Sequence, residues 1–410
     1  MSVALRAWRS VLYVPFAVML AMLVSATAAP AAPDDDFQQW VDSLRAEAMA
    51  QGVRAVTFDA AFAGVRPIAS VVELDRRQPE FTQTFWSYLD KRVTPSRVAR
   101  GQEMLARHRE VLEAVSRRYG VQPRFLVAFW GLETNYGDNT GNHSLIAALA
   151  TLAYDTRRSD FFREQLLAAL ELMDRGDVPV DATGSWAGAL GHPQFMPTSY
   201  RAYAVDFDGD GRRDLWNSVA DVFASAANFL AAAGWRDDQT WGREVRLPSG
   251  FDYAQSGLDI VKPLADWQRL GVRKAGGGDL PTVDIEGSVI LPGGAAGAPA
   301  FIVYSNFNSI MAWNRSILYA VSVGHLSDRL VGKPPLQAAR PAAEVPLSRD
   351  EVMEMQKLLG RLGLETGAAD GIVGPATRQA VRAYQAEAAL PADGYPTADL
   401  LDRLRAAPPR

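Results

Sequence analysis

A glutamate at the end of a strongly apolar segment is the first candidate for chemistry. Glu133 lies in YGVQPRFLVAFWGLETNYG, residues 119–137, close to Trp130 and Tyr136. A carboxyl in such surroundings would be poorly solvated, which raises its pKa and keeps it protonated near neutral pH. This is the state that a general acid needs. The alternative is an ordinary salt bridge at a helix end, and this segment alone does not decide between the two.

Small and neutral polar residues dominate a second segment, GSWAGALGHPQFMPTSY, at 184–200. Its glycines and alanines would let a ligand or another backbone approach closely. Ser185 and Gln194 offer hydrogen-bonding groups, and Trp186 and Phe195 offer flat faces on which sugar rings could stack. The alternative is a tight glycine-rich connection that packs against a core.

An acidic loop, DFDGDGRRDLWN at 206–217, follows the spacing of an EF-hand calcium loop. Its carboxylates would repel one another unless a cation neutralised them, so the pattern predicts a Ca²⁺ site rather than a solvated turn. Asn217 stands where such loops usually have a bidentate glutamate, and we therefore expect a modest affinity. The predicted ligands are Asp206, Asp208, Asp210, Asp214, Asn217 and the backbone carbonyl of Arg212.

A fourth segment, YSNFNSIMAWNRSILY at 304–319, mixes amide and aromatic side chains in a way that suits carbohydrate. Trp313, Asn314 and Tyr319 are its candidate binding residues. In isolation, the segment is better explained as the polar edge of a core helix. The four histidines of the chain show no metal-ligand spacing, and no P-loop, dinucleotide fingerprint or nucleophile elbow is present.

The elements that must position these residues form one large and one small unit. Residues 36–333 are predicted to be mainly helical, with Pro123 in the first turn of the helix that carries Glu133 and Gly137 as its terminator. Glycine, proline and short β-prone runs at about 243–305 predict a small β-rich insertion. The proline- and alanine-rich stretch 334–346 predicts a semi-extended linker.

Residues 347–406 are predicted to form a three-helix binding module. Ser348 and Glu351 make a capping box, followed by apolar residues at helical spacing. Two Asp-Gly turns, at 370–371 and 393–394, each precede a further helix and suggest a weak internal repeat. The predicted fold class is therefore mainly α (α+β): a helical core with a small β-rich insertion, plus this module.

The N-terminus and the overall charge limit the possible partners. Residues 1–28 combine a basic start, a short apolar run and an A-x-A site, the pattern of a cleaved secretory signal peptide. Their removal takes away two arginines and changes the net charge from −5 to −7, which argues against nucleic acid as a partner. The chain has no cysteine, so thiol chemistry and lipid attachment to cysteine are excluded, and we expect no membrane anchor after cleavage.

Together, GLETNYG, GSWAGALGHPQFMPTSY, the acidic loop and AWNRS, in this order, resemble the soluble lytic transglycosylase B family, also called membrane-bound lytic murein transglycosylase B. The resemblance covers most of 37–330, including 75–81 and 97–101. The tail, with QKLLGRLGL, ADGIVGPAT and AVRAYQ, is similar to a peptidoglycan-binding type 1 domain.

This resemblance implies a lysozyme-like core in which Glu133 is the single catalytic carboxylate. It implies a groove for peptidoglycan glycan strands, a structural Ca²⁺ in the acidic loop, no organic cofactor and a periplasmic location. Trp313 falls where the family often has tyrosine, a change that keeps an aromatic face. The predicted substrate-binding residues are Ser185, Gln194, Trp313, Asn314, Tyr319, Tyr136 and Phe195.

The implied reaction cleaves the bond between N-acetylmuramic acid and N-acetylglucosamine and leaves 1,6-anhydromuramic ends. Two alternatives stay open. A muramidase on the same fold would use water and a second acidic group, for which Asp138 is the nearest candidate. A non-catalytic wall-binding scaffold is disfavoured by the presence of Glu133 in its full motif.

Overall fold

The computed structural model describes residues 34–77, 83–341 and 345–407. The predicted signal peptide, part of the 75–81 segment and part of the predicted linker lie outside these residues. Within the described part of the chain, no helix is long and apolar enough to cross a membrane. The helices are α1 Asp34–Ala50, α2 Ala55–Ala61, α3 Ala69–Arg77, α4 Phe85–Arg92, α5 Pro95–Arg107, α6 Arg109–Tyr119, α7 Pro123–Thr134, α8 Leu145–Tyr154, α9 Ser159–Arg175, α10 Pro197–Tyr203, α11 Val219–Ala232, α12 Leu264–Arg269, α13 Gly294–Gly297, α14 Ser305–Trp313, α15 Ile317–Leu330, α16 Arg349–Arg361, α17 Pro375–Glu387 and α18 Ala398–Ala406.

Helix α7 lies at the centre of the largest hydrophobic core. Residues 125–132 are all buried, as their apolar character on every side of the helix requires. Helices α5, α6, α11 and α15 pack around it. The helix begins at Pro123, as predicted, but it ends earlier than predicted. Asn135 is its C-cap in the left-handed region at φ 52°, and Gly137 lies beyond it.

A second hydrophobic core forms around α8 and α9, against which α1 and α2 pack. A short antiparallel pair, β1 (His143–Ser144) and β2 (Thr183–Gly184), contacts the start of α8. Ser185 follows β2 directly, so this pair fixes where the glycine-rich segment begins. Ser185 lies 52 residues after Glu133 in the sequence. The pairing of β1 with β2 positions the start of the segment to which Ser185 belongs.

The strands of the predicted β-rich insertion are β3 Gly242–Arg246, β4 Lys262–Pro263, β5 Arg273–Lys274, β6 Glu286–Ile290 and β7 Ala300–Val303. They form a five-stranded antiparallel sheet in the order β4-β6-β7-β3-β5. Its inward residues form a separate core around Trp267, which is fully buried and donates its indole N–H to the Gly287 carbonyl at 2.8 Å.

The C-terminal module contains the internal repeat that the two Asp-Gly turns suggested. Gln356 on α16 donates to Asp370 and accepts the N–H of Gly371, at 3.1 and 2.9 Å. Gln385 on α17 makes the same two contacts to the 393–394 turn, both at 2.8 Å. Each turn is therefore held by a buried glutamine of the preceding helix, and the predicted capping box at Ser348 is confirmed.

The described part of the linker is held against the helical unit. The N–H groups of Gln337 and Ala338 donate to the Glu244 carboxylate at 2.8 and 2.7 Å. Arg340 makes a bidentate ion pair with Asp90 and places its guanidinium 4.4 Å from the ring centroid of Trp86. The structure thus gives the 334–341 stretch fixed contacts, where the sequence predicted only a semi-extended connection.

Candidate active site

Glu133 lies in the last turn of α7, where its carboxyl meets two donors from a distant part of the chain. The Trp313 indole N–H donates to Oε1 of Glu133 at 2.9 Å, and the Tyr319 hydroxyl donates to the same oxygen. Trp313 ends α14 and Tyr319 lies in the first turn of α15, so both sides of the 314–316 connection face the carboxyl. The residue itself keeps partial exposure to solvent.

The electrostatic setting makes Glu133 a weak acid. Burial of the carboxyl raises its pKa from 4.5 to about 7, against the opposing effects of the bonds from Tyr319 and Trp313 and of the Arg92 cation. Among the described residues, none of the groups that chiefly set this pKa is a second carboxylate. Glu133 is therefore substantially protonated at neutral pH, the first of the two states that the sequence left open.

The two hydrogen bonds also distinguish the two oxygens of Glu133. Because Oε1 accepts both donors, the proton of the neutral acid belongs on Oε2. When the acid ionises, the same two donors stabilise the negative charge on the carboxylate. The site can therefore give up and take back one proton at a single oxygen without moving its supports.

Trp313 and Tyr319 thus contact the catalytic candidate itself, a role that the prediction of sugar binding did not include. The Trp313 ring packs against three aromatic rings, those of Phe129, Phe195 and Phe229, with centroids 4.5 to 5.1 Å away. Phe195 is 3% exposed, so it supports Trp313 from below instead of offering a face to a sugar. The indole N–H that meets Glu133 is therefore fixed by ring packing.

Tyr136 is a correction to the predicted binding set. It is buried at 4% exposure, its hydroxyl donates to the Arg97 carbonyl at 2.6 Å, and its ring packs edge-on against Trp130. Its φ of 61° turns the chain back over α7 and directs the side chain into the core. The sequence after the helix does not reveal this reversal of the chain. The reversal depends on the space that small residues such as Gly131 leave for the Tyr136 ring.

Ser185, Gln194 and Asn314 belong to two loops and stay candidates for substrate contact. The Ser185 hydroxyl accepts the N–H of Ala189 at 2.9 Å and remains partly exposed. Gln194, in the left-handed region at φ 50°, donates to the carbonyls of Thr140 and Gly191 at 3.1 and 2.9 Å. Asn314 is exposed beside Trp313 and accepts the Ser316 N–H.

Asp138, the candidate for a second acidic group, is engaged elsewhere. It is about half exposed and paired with Arg100, whose guanidinium donates to it at 2.7 Å. The hydrogen bond from Arg100 lowers the pKa of Asp138. Its carboxylate accepts a further bond from Asn135. These contacts fit a surface ion pair at the end of α7 better than a water-activating base.

The acidic loop brings three of its predicted ligands together. Asp206, Asp208 and Asp210 each offer a carboxylate oxygen, and these oxygens lie within 4.8 Å of one another. Asp206 also accepts the N–H groups of two loop glycines, which gives the turn its shape. Oxygen-only donors at this spacing fit a hard divalent cation such as Ca²⁺. Of the other predicted ligands, the Asn217 amide instead donates to the Asp214 carboxylate at 2.9 Å. Arg212 lies in sequence between Asp210 and Asp214.

Two residues of the site were not found from the sequence. Asp221 is fully buried in α11 and joins the two ends of the acidic loop by accepting the N–H groups of Phe207 and Asp214. Arg92 ends α4 and places its cation close enough to Glu133 to lower its pKa. Neither belongs to a motif; Asp221 could have been recognised only as an acidic residue in an otherwise apolar helix.

Comparisons with known proteins show two matched regions in the chain. Residues 36–328 match the family model described as a transglycosylase SLT domain, and residues 348–404 match the model of a peptidoglycan binding domain. The crystal structure of SltB3 from Pseudomonas aeruginosa in complex with NAG-anhNAM-pentapeptide is 51% identical. It superposes with a TM-score of 0.87 and covers 90% of this chain and 99% of its own.

Two further relatives come from Escherichia coli. Membrane-bound lytic murein transglycosylase B is 33% identical over 253 residues, which are 58% of this chain and 65% of that protein, so the match spans slightly less than two thirds of the relative. The structure of Slt35 in complex with calcium is 27% identical, with a TM-score of 0.62 over 72% of this chain and 92% of its own. The chain belongs to the transglycosylase SLT domain family, with a peptidoglycan binding domain at its C-terminal end.

Proposed function

We propose that the protein is a lytic transglycosylase that cleaves the MurNAc–GlcNAc bond of peptidoglycan and forms 1,6-anhydromuramic ends. The observation that carries this proposal is the carboxyl of Glu133, substantially protonated near neutral pH and held at one oxygen by two donors. SltB3, a relative of 51% identity, has been crystallised with NAG-NAM-pentapeptide and with the anhydro form of this compound. Both complexes support the same substrate class here.

The mechanism needs one acid that later acts as a base. Oε2 of Glu133 gives its proton to the glycosidic oxygen, and the bond from that oxygen to C1 of the muramic sugar breaks. The N-acetyl group of the substrate stabilises the positive charge at C1, an exception to the two-carboxylate scheme of most glycosidases. The ionised Glu133 then takes the proton of the C6 hydroxyl, whose oxygen bonds to C1. No water is consumed, and Glu133 ends protonated as it began.

The supports of Glu133 fit both halves of this cycle. Trp313 and Tyr319 stabilise the carboxylate between the two proton transfers, while the buried surroundings favour its return to the neutral form. Ser185 and Asn314, both reachable from solvent, would hold the N-acetyl group close to C1. Gln194 would shape the loop on the Ser185 side, since its amide already bonds to two backbone carbonyls there.

A muramidase that uses water is the second candidate. It needs a free carboxylate to activate water, and Asp138 is bound by Arg100 and Asn135. Mass spectrometry of purified sacculi digested with the protein separates the two. Anhydromuropeptides, lighter by one water than reducing-end muropeptides, support the transglycosylase; reducing-end products alone would show a hydrolase. Binding to the wall without any release would show a scaffold.

We also propose that the acidic loop binds a structural Ca²⁺ through Asp206, Asp208 and Asp210. Calcium at about 100 times its dissociation constant is expected to stabilise the fold by about 2.7 kcal/mol, because it binds the folded loop only. The melting temperature should rise by a few degrees with Ca²⁺ and fall with a chelator. The variant Asp208→Asn/Asp210→Asn should show neither change. A chelator that leaves the wild-type protein unaffected would contradict the proposal.

The C-terminal module would bind peptidoglycan and raise the local concentration of wall beside Glu133. Because linker residues 337, 338 and 340 contact the helical unit, we expect the module to bind the wall from a fixed position beside that unit. Replacing Arg340 by alanine removes the bidentate pair with Asp90, worth roughly 1 kcal/mol at an exposed site, so cleavage of the Ala338–Ala339 region by elastase should become several-fold faster. Arg236→Ala, which breaks the exposed pair with Asp238, is the matched control. Equal cleavage rates in both variants would show that the Arg340–Asp90 pair does not restrict the motion of the linker.

Export to the periplasm stays a prediction. The segment that supports it, residues 1–28, lies outside the described residues. A wall substrate requires a location outside the cytoplasmic membrane, which agrees with the signal-peptide pattern.

A further inference from the structure

His192 contacts the helix that carries Glu133 through its ring. The Trp130 indole N–H donates to Nδ1 of His192 at 3.1 Å, and the two rings lie with their planes 22° apart. Trp130 is 5% exposed and lies one turn before Glu133 on α7. The rings of His108, Tyr136 and Phe223 contact Trp130 edge-on, and the indole N–H donates to Nδ1 of His192.

The backbone of His192 makes two further bonds in different directions. Its carbonyl accepts the Thr134 hydroxyl at 3.1 Å, on the other side of Glu133 from Trp130. Its N–H donates to the Leu215 carbonyl at 2.8 Å, at the end of the acidic loop. Glu133 is thus bracketed by two residues, Trp130 and Thr134, that both bond to the same histidine.

The turn after Glu133 is built to admit the imidazole. Gly137 has a φ of 89°, and a Cβ atom there would stand 2.6 Å from Cε1 of His192. Its N–H donates to Thr134 Oγ1 at 3.1 Å, the same hydroxyl that bonds to the His192 carbonyl. His192 itself belongs to the glycine-rich segment 184–200, where it lies between Ser185 and Gln194 in the sequence. Through its ring and its backbone, His192 therefore joins the end of α7 that carries the acid to the glycine-rich segment.

We propose that His192 is a positioning residue for the proposed reaction: its neutral imidazole accepts the Trp130 indole N–H and so fixes Glu133 relative to the Ser185–Gln194 loop. This inference rests on the proposed function. The bond requires Nδ1 without a proton, hence a ring protonated only at Nε2. Partial burial lowers the pKa of His192, which favours that neutral form.

The physical reason for an effect on rate is alignment. A buried indole N–H without an acceptor is costly, so Trp130 would shift to find a partner if Nδ1 were lost. The Trp130 ring is 5% exposed and packed between other rings, so a shift of the indole would press on α7, which carries Glu133 three residues later. A displacement of the order of 1 Å at a reacting group can cost about 100-fold in rate.

The test compares His192→Leu, which removes the acceptor, with His192→Asn, whose amide oxygen can stand near the position of Nδ1. Both are measured on a soluble glycan fragment of two disaccharide-peptide units. We expect His192→Leu to lower kcat by roughly 10- to 100-fold with KM almost unchanged, and His192→Asn to recover most of the loss. The indole N–H resonance of Trp130, assigned with Trp130→Phe, should shift in the leucine variant and return in the asparagine variant.

The outcomes separate this inference from the function on which it rests. Wild-type protein without activity overturns both. Active wild-type protein with equal kcat in His192→Leu overturns the positioning role alone. Equal losses in the leucine and asparagine variants, with the resonance restored only in the latter, would also overturn it, because the acceptor would then be present without its effect. Recovery of kcat together with the resonance supports it.

Discussion

Replacement of Glu133 by glutamine is expected to lower the release of muropeptides from sacculi by roughly 10³- to 10⁴-fold. The amide keeps the shape of the side chain, and its oxygen can still accept the bonds from Trp313 and Tyr319. It cannot give a proton to the glycosidic oxygen or take one from the C6 hydroxyl. Both halves of the proposed cycle therefore fail together. The measurement is the initial rate of soluble product formation, with folding checked by circular dichroism.

The matched control is Asp138→Asn, a change of the same chemical kind five residues further along the chain. Asp138 is exposed and paired with Arg100, so we expect the rate to stay within about twofold of the wild-type rate. A large loss in this variant, together with reducing-end products, would favour the muramidase. A Glu133→Gln variant that retained most of its activity would remove the basis of the proposed mechanism.

The same substitution is expected to stabilise the fold at alkaline pH. Burial raises the pKa of Glu133 from 4.5 to about 7, so the folded protein binds more protons than the unfolded chain between these values. The contribution of this group to stability is therefore fully present below pH 4.5 and is lost as the pH rises through 7. The difference amounts to about 3 kcal/mol. Glutamine, which cannot ionise, avoids this loss.

The prediction is checked by the free energy of unfolding of wild type and Glu133→Gln at several pH values. The two should agree near pH 4.5, and the variant should be more stable at pH 8.5 by up to roughly 3 kcal/mol. Comparison at each pH cancels the other groups that titrate in both proteins. Glu113→Gln, the same change at an exposed position of α6, is the control. If Glu133→Gln were no more stable than the wild type at pH 8.5, ionisation of the Glu133 carboxyl would not destabilise the folded protein, and the prediction would be wrong.

A loss of activity with a gain in stability is the expected signature of a group kept for chemistry. A buried carboxyl that must ionise during the cycle is unfavourable for folding, yet that same burial gives it a pKa suited to proton transfer. The donors Trp313 and Tyr319 limit the cost, because they bond to the ionised form. Stability and catalysis therefore meet at one side chain with opposite requirements.

The sequence by itself determined the features that depend on neighbouring residues. Helix α7 follows from Pro123 and an unbroken apolar run, and the capping box at Ser348 follows from two residues three apart. The order of the four motifs led to the family that the comparisons show, and the spacing of Asp206, Asp208 and Asp210 placed their oxygens together. In each case, the geometry is set within one turn or one loop, so local pattern is sufficient.

The tertiary structure decided what surrounds Glu133. Trp313 and Tyr319 lie 180 and 186 residues away in sequence, and no local pattern states that they meet one oxygen of its carboxyl. The inward turn of Tyr136 and the role of His192 are of the same kind, since each depends on the space left by packed helices. A pKa near 7 is the sum of burial, two distant donors and a cation. It exists only once α7, α14 and α15 have packed, because desolvation is a property of the folded core.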